Sequence, residues 1–358
     1  VYNPSHVLSF FSVFNNDAIR EVNLYKSFFP LKYGGRSSSV IDVRMREGNS
    51  KERERSASLG LIASKVLLEG PLKKKEGSYL VSGRFGYPGV VAGLLGSNLT
   101  SKPQMWFYDV NAKVNRTLDA RNRMFFSLYS GGDHTVFNKL VKGYGMDWGN
   151  ATATIRWNHI LNDKTNVNTS AVFSNYYYKY KSLSDGLRYV WKSNMQSYQL
   201  KSDWERYQNN LLTLKGGVNL HYFTTMPGEV GKSGKDSNIT PSEMSRKSLW
   251  DAALYAEANY KFLPHFLLNA GVRLSVLHAP ASAYYAAKTF VMPEPRAELS
   301  FIPNASHRFS ASYTQAAQSI HMLTTSSVGI PSDMWMPANA LLKPSVMRQL
   351  ALGYEYNF

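Results

Sequence analysis

From about residue 52 onward the chain alternates apolar and polar positions with period two over long stretches, each closed by a turn signal. Residues 249–262 show the pattern best: Trp250, Ala252, Leu254, Ala256, Ala258, Tyr260 and Phe262 share one face, and Asp251, Tyr255, Glu257, Asn259 and Lys261 share the other. The same reading places Trp106, Tyr108, Val110, Ala112 and Val114 opposite Asp109, Asn111, Lys113 and Asn115, and Leu268, Ala270, Val272, Leu274 and Val276 opposite Asn269, Arg273 and Ser275. The ten steps from Trp250 to Tyr260 extend roughly 33 Å at about 3.3 Å each. Tilted by about 40°, they cover roughly 25 Å of membrane normal, the height of a lipid-facing apolar band. Strands of soluble domains are shorter, about 5–6 residues. Backbone polar groups in lipid must pair with one another, so such strands cross only in a barrel, with the apolar strip outside and the polar strip in the lumen.

Turns and loops alternate in length. Short turns are expected at Leu72–Gly77, Asp119–Asn122, Asn162–Lys164, Asn209–Asn210, Leu263–His265 and Pro303–Ser306. Between them lie long polar loops, at 86–103, 132–147, 179–196, 224–246, 279–292 and 317–345. Outer-membrane barrels have tight periplasmic turns and long outer loops, and about fourteen strands are expected on this pattern. They begin with a hairpin at 52–62 and 63–70 and end at 346–358. Residues 1–50 read differently, with an apolar run from Val7 to Phe14, a short helix at Asn16–Arg20, and two short strands near Glu21–Tyr25 and Ser39–Arg46. The charged stretch Gly48–Arg55 reads as a solvated join, which divides the chain into 1–50 and 51–358. The fold class is all-β, a transmembrane antiparallel barrel preceded by a small domain.

Composition narrows the chemistry. With 13% aromatic and 18% charged residues among 358, the chain is too aromatic to be disordered. The formal charge of +16 calls for an anionic partner, and loops facing lipopolysaccharide phosphates account for it. The basic run Lys73–Lys75 is too short for nucleic-acid recognition, and no nucleic-acid module is present. The absence of cysteine excludes disulfides, thiol catalysis and Cys-zinc sites. The eight histidines are scattered, with no metal-ligand spacing, phosphate-cradling glycine loop or nucleophile elbow, so no cofactor and no enzyme activity are expected. No stretch is apolar and long enough for a transmembrane helix. The opening Val-Tyr-Asn-Pro carries no signal peptide, so the start is expected to be processed or cut.

The segment from Asn16 to Gly48, with Tyr33-Gly34-Gly35-Arg36 at its turn and Val40-Ile41-Asp42-Val43-Arg44 after it, resembles the end of the plug of a TonB-dependent outer-membrane receptor. Leu68-Glu69-Gly70-Pro71 and Ser78–Arg84 are similar to the first barrel strands of that family. The run from Gln318 through His321, Gly329 and Trp335 to Pro344 resembles a long outer loop of the variety common in Bacteroidota. The resemblance implies active import across the outer membrane of a Gram-negative bacterium: a scarce or bulky ligand, whether siderophore, vitamin, oligosaccharide or peptide, binds at the plug apex, and TonB rearranges the plug. It further implies roughly 22 strands around a plugged lumen and a TonB-engaging segment upstream. The chain then corresponds to the C-terminal part of the plug plus about the first fourteen strands. The even count and the closing alternation Leu350, Leu352, Tyr354, Tyr356, Phe358 read instead as the last strand of a complete barrel. A passive porin or a surface-binding barrel is the alternative function, and a surface lipoprotein lid is a further partner to expect.

Several residues are candidates for this chemistry. Gly34 and Gly35 suit a turn with positive φ, or simply a turn. Arg36, Arg44 and Arg46 are expected to meet lumen acids such as Glu257 and Glu298, or to stand in solvent. Tyr178 and Tyr180, in the run Tyr176–Tyr180, offer a stacking surface for a sugar or an aromatic chelate, while an aromatic girdle would place the same residues there. His321 and Trp335, with Met322, Met334 and Met336, are ligand or lid contacts, or loop packing.

Overall fold

The computed structural model describes residues 2, 4–7, 10–72, 76–95, 104–137, 143–182, 188–233, 240–323 and 334–358; Lys73–Lys75 and residues 324–333, including Gly329, lie outside them. The N-terminal part forms two small hairpins. One pairs β1 (Ser5–His6) with β2 (Phe11–Ser12), and the other pairs β3 (Ile19–Tyr25) with β4 (Val40–Met45). A 3-10 turn at Asn16–Ala18 leads into β3, with Asn15 Oδ1 accepting from the Asp17 N–H.

The rest is dominated by one antiparallel sheet. Its early strands are β5 (Glu54–Leu59), β6 (Ala63–Pro71), β7 (Gly77–Gly86), β8 (Gln104–Thr117), β9 (Asn122–Phe137), β10 (Tyr144–Asn162) and β11 (Thr165–Ser182). A short helix, α1 (Pro88–Leu95), lies between β7 and β8. The sheet continues through β12 (Tyr189–Tyr207), β13 (Leu212–Lys232), β15 (Lys247–Leu263), β16 (Phe266–Ala279), β17 (Lys288–Asn304), β18 (His307–Gln318) and β21 (Ser345–Tyr356). These fourteen strands pair in chain order, and β14 (Ser242–Glu243) adds to β13. A separate hairpin, β19 (Ile320–Leu323) with β20 (Met334–Pro337), falls between the last two strands. Among the described residues β5 and β21 each pair on one side only.

Side-chain exposure inverts the rule of soluble proteins. Trp250, Leu254 and Tyr260 are exposed, whereas Asp251 and Glu257 on the same strand are 3% and 6% exposed. The apolar strip faces outward and the polar strip inward along β8, β15 and β16, as the alternation predicts. A belt of rings crosses neighbouring strands near one end: Phe262, Phe266, Phe301, Phe309 and Tyr354 follow one another at centroid spacings of 4.8–6.3 Å.

The short turns all gather at that end, and their chemistry is local. Asn209 Oδ1 accepts from the N–H groups of Leu211 and Leu212, Asn304 Oδ1 from those of Ser306 and His307, and Asn162 Oδ1 from that of Lys164. At the opposite end the strands run further than the polarity of the expected loops suggests, with β13 reaching Lys232 and β9 reaching Phe137. Glycines near this end sit under aromatic rings of the adjacent strand: Gly149 packs on Tyr177 and Gly228 on Trp191. The N-terminal residues lie against the polar face. Lys113 of β8 donates to the Met45 carbonyl and Arg296 of β17 to that of Phe29, so the sheet curves around them.

Candidate functional site

The segment between β3 and β4 has no regular structure of its own, and its backbone polar groups are met by the lumen. Phe29 and Leu31 are buried, and buried backbone groups need partners. Arg296 supplies most of them: Nη1 donates to the carbonyls of Phe29 at 3.2 Å, Pro30 at 3.1 Å and Tyr33 at 2.9 Å. Its guanidinium also lies 4.1 Å from the centre of the Phe29 ring. Arg273 Nη1 donates to the Leu31 carbonyl at 3.2 Å, and the Leu31 N–H donates to Glu257 Oε2 at 2.8 Å. Glu294 holds both arginines in place, 3.1 Å from Arg296 Nη2 and 3.7 Å from Arg273 Nε, while accepting from Ser275 Oγ at 2.6 Å. One buried carboxylate thus stands between two buried guanidiniums, whose remaining donors go to the backbone of the segment.

The two glycines at the turn have different reasons. Gly35 has φ +77, the left-handed region that glycine alone enters freely. Gly34 has an ordinary φ, but a Cβ there would collide with the Arg273 guanidinium. The expectation of a positive-φ turn therefore holds for Gly35, and at Gly34 close approach replaces it. Tyr33 is half-buried, and burial with the neighbouring Asp42 pushes its phenol well above the usual range. Burial lowers the Lys32 ammonium.

The arginines pair differently from expectation. Arg36 meets neither Glu257 nor Glu298: it lies 4.9 Å from the Trp335 ring and 5.7 Å from the Tyr2 ring, donating to the Ile320 carbonyl at 3.2 Å. Arg44 stays within its own hairpin, on Glu21 and Asp42. Arg46 does reach a lumen acid, Glu69, at 2.6 Å. Glu298 is engaged by Arg308 and Asn269 inside the sheet. A second anchor holds the first residues: His6 Nδ1 lies 2.6 Å from Asp133 Oδ2, the Val7 N–H donates to Asp133 Oδ1 at 2.7 Å, and Arg84 bridges Asp109 at 2.5 Å and the Ser12 carbonyl at 2.6 Å.

At the end away from the short turns, the aromatic candidates converge. Tyr178 is buried with Met146, Trp148 and Tyr176, and Tyr2, Tyr180, Trp191 and Trp335 pack against that cluster. Tyr2 meets Trp335 edge-on at 5.6 Å and Tyr176 at 6.3 Å. The hairpin β19–β20 is seated here, with Thr225 Oγ1 donating to the Trp335 carbonyl and buried Ile320 packed among Met195, Phe223, Leu249 and Leu277. His321 lies opposite Met336; burial lowers its imidazole, and its Nε2 has no hydrogen-bond partner. Asp251 Oδ1, buried near Gly35, is a second open polar atom. Rings for stacking thus border open donors and acceptors, an arrangement that suits a solute with both ring faces and polar edges. Among the described residues no cluster of side chains is fit to hold a metal ion.

Arg273, Arg296 and Glu294 are site residues that the sequence reading passes over. The one available signal is position: Arg273 is the only charged residue on the inner strip of β16.

Comparison with known proteins follows from this architecture. A family model described as "TonB dependent receptor-like, beta-barrel" matches residues 93–358. No curated protein matches. Among solved structures the chain is similar to the ferric preacinetobactin receptor BauA of Acinetobacter baumannii, at 12% identity and TM-score 0.70, over 99% of this chain and 59% of that one. It is also similar to the copper transporter OprC, at 14% identity and TM-score 0.69, over 98% of this chain and 58% of that one. The ferric yersiniabactin uptake receptor FyuA of Yersinia pestis matches at 11% identity and TM-score 0.69, over 95% and 58% of the two chains. At such identities the likeness carries the fold alone, and the chain spans 58–59% of the length of these three structures.

Proposed function

The chain belongs to the TonB-dependent receptor family, an outer-membrane family of Gram-negative bacteria, and from that premise we propose that it takes part in TonB-driven import of a scarce or bulky solute. Residues 1–50 act as the C-terminal part of a plug and residues 51–358 as barrel. The solute is bound at the apex by Arg36, Tyr178, Tyr180, His321 and Trp335. Siderophores, vitamins, oligosaccharides and peptides all carry the mixture of faces and edges that this apex offers. BauA and FyuA, whose names record ferric preacinetobactin and ferric yersiniabactin, favour a ferric chelate by likeness of fold.

The observation that carries the reading is the clamp on residues 29–33. Arg296 and Arg273 grip four backbone carbonyls of a segment that has no strand or helix of its own. Such a segment stays seated by a handful of charge-assisted hydrogen bonds, each worth about 1.5–3 kcal/mol, and pulling on the chain removes them one after another. A passive porin would need an open lumen, which these contacts obstruct. TonB is the partner that supplies force; lipopolysaccharide phosphates face the cationic outer loops, and a surface lipoprotein covers the apex in this reading. Accumulation of labelled solutes in cells expressing the full-length receptor, with and without TonB, tests it. Uptake that depends on TonB and falls in Trp335→Ala is expected, and uptake indifferent to TonB would refute import by this route.

A further inference from the structure

Below the clamp, on the side of the short turns, the lumen holds a cavity of about 890 Å³ between the β3–β4 hairpin and strands β8–β15. Seven lysines and arginines and six acids line it, but the pairing is uneven. Arg44 occupies Glu21 and Asp42, Lys201 lies 3.5 Å from Asp203, Lys215 lies 3.5 Å from Glu205, and Glu257 is taken by the Leu31 N–H. That leaves Glu47, which is bound to Arg123 at 2.7 Å.

Around one ring the cations are then in excess. The guanidinium of Arg156 lies 4.2 Å from the centre of Phe125, that of Arg123 5.0 Å and the ammonium of Lys113 5.8 Å. Register makes this unavoidable: Phe125 faces Arg156 directly across β9–β10, and alternation turns Lys113, Arg123, Phe125 and Arg156 into the lumen together. Lys113 has a carbonyl partner, that of Met45 at 3.0 Å. Arg156 has, among the described residues, neither a carboxylate nor a hydrogen-bond acceptor, and its Nε is buried and unpartnered. Three positive charges against the single charge of Glu47 leave a surplus of two in a partly dehydrated space. Like charges so placed repel unless an anion joins them, and a guanidinium with free donors is suited to bind an oxyanion through two oxygens.

We infer that Lys113 and Arg156, which line this cavity beside Phe125, form an oxyanion site there, with Arg123 adding its charge from across the ring. It takes a phosphate or carboxylate group, either as a free ion or carried on a solute. The site is separate from the aromatic apex and does not depend on what the apex binds.

Equilibrium dialysis of the detergent-purified full-length protein against radiolabelled inorganic phosphate at low ionic strength reads it. Saturable binding is expected, weakened about tenfold or more in Arg156→Gln and unchanged in Arg206→Gln, an arginine elsewhere on the barrel. Heat-modifiable migration on gels confirms that each variant is folded, and Lys113→Met replaces Arg156→Gln if the latter is not. Competition by glucose 6-phosphate assigns an oxyanion attached to a solute, and binding of phosphate without such competition assigns a free ion; either upholds the site. Absence of saturable binding, equal binding in wild type and Arg156→Gln, or equal losses in both arginine variants would overturn it.

Discussion

Replacing Arg296 by methionine tests the clamp with little change in volume. The side chain is wholly buried, and its loss leaves the carbonyls of Phe29 and Tyr33 without their donor and that of Pro30 with the Tyr33 N–H alone. Glu294 is not stranded, because Ser275, Arg273 and the Ala317 N–H still engage it. The cost therefore falls on docking of residues 29–33 rather than on the sheet. Breaking one member of a buried charged network costs about 3–5 kcal/mol, which raises the undocked population roughly a hundredfold to a few thousandfold. Lys32 lies inside the clamped segment, so trypsin cleavage after it reports that population when opening is fast. The expected result is cleavage faster by about that factor in Arg296→Met, with brief conductance events in planar bilayers and an unchanged melting temperature for the barrel. Arg308→Met is the control, since that guanidinium is 37% exposed and pairs with Glu298 and Glu355 at the rim; it should shift cleavage by no more than about fivefold. Equal cleavage of wild type and Arg296→Met, with both folded, would refute the argument that these hydrogen bonds hold the segment. Arg296→Lys should fall between them, because an ammonium keeps the charge and loses the fork.

Three further outcomes follow from the same geometry. Gly35→Ala should destabilise docking by about 1–2 kcal/mol through its positive φ, and Gly34→Ala by about 1–3 kcal/mol through collision with Arg273; trypsin cleavage after Lys32 measures both, and an unaltered rate in either would contradict the cause assigned to it. Leu254→Arg, on the outward face of β15, should lower folding into vesicles by about 2–4 kcal/mol, read as loss of heat-modifiable migration, and full folding yield would contradict a lipid-facing strip. Burial lowers the His321 imidazole below 6.5, so the seated hairpin prefers the neutral ring, and the unseated one takes a proton first as pH falls below that value. The opening equilibrium at residues 320–323, taken as amide exchange relative to the intrinsic rate at each pH, should therefore rise from about pH 7 to about pH 5 more in wild type than in His321→Gln, and equal slopes would remove His321 as the cause.

What could be read in the sequence depended on which medium each residue meets. Leu254 and Asp251 are assigned to opposite faces by period two because hydrocarbon and lumen impose opposite chemistry on alternate positions, and the structure places them so. The short turns were legible because Asn162, Asn209 and Asn304 close them with their own side chains. Strand ends beyond the membrane were not, since the polar stretches 132–147 and 224–246 read as loops although β9 runs to Phe137 and β13 to Lys232. The convergence of Tyr178, Tyr180 and Trp335 was anticipated as chemistry but not as one cluster, because Tyr2 completes it from the far end of the chain.

The clamp was least legible for a reason that bears on how it works. Side-chain partners leave a complementary mark in sequence, yet of Arg36, Arg44 and Arg46 only Arg46, on Glu69, meets an acid of the lumen wall. Arg273 and Arg296 instead bind carbonyls, which every residue has, so the contacted residues Phe29, Pro30, Leu31 and Tyr33 show no polar signature. A guanidinium that recognises backbone reads conformation rather than residue type. It therefore grips while the segment keeps its bend and loses its acceptors when the segment is drawn straight, while Glu294 stays behind in the wall as the carboxylate partner of both arginines. Pulling thus unseats the segment without separating a buried ion pair between segment and wall, which an arginine on the segment paired with an acid in the wall would require.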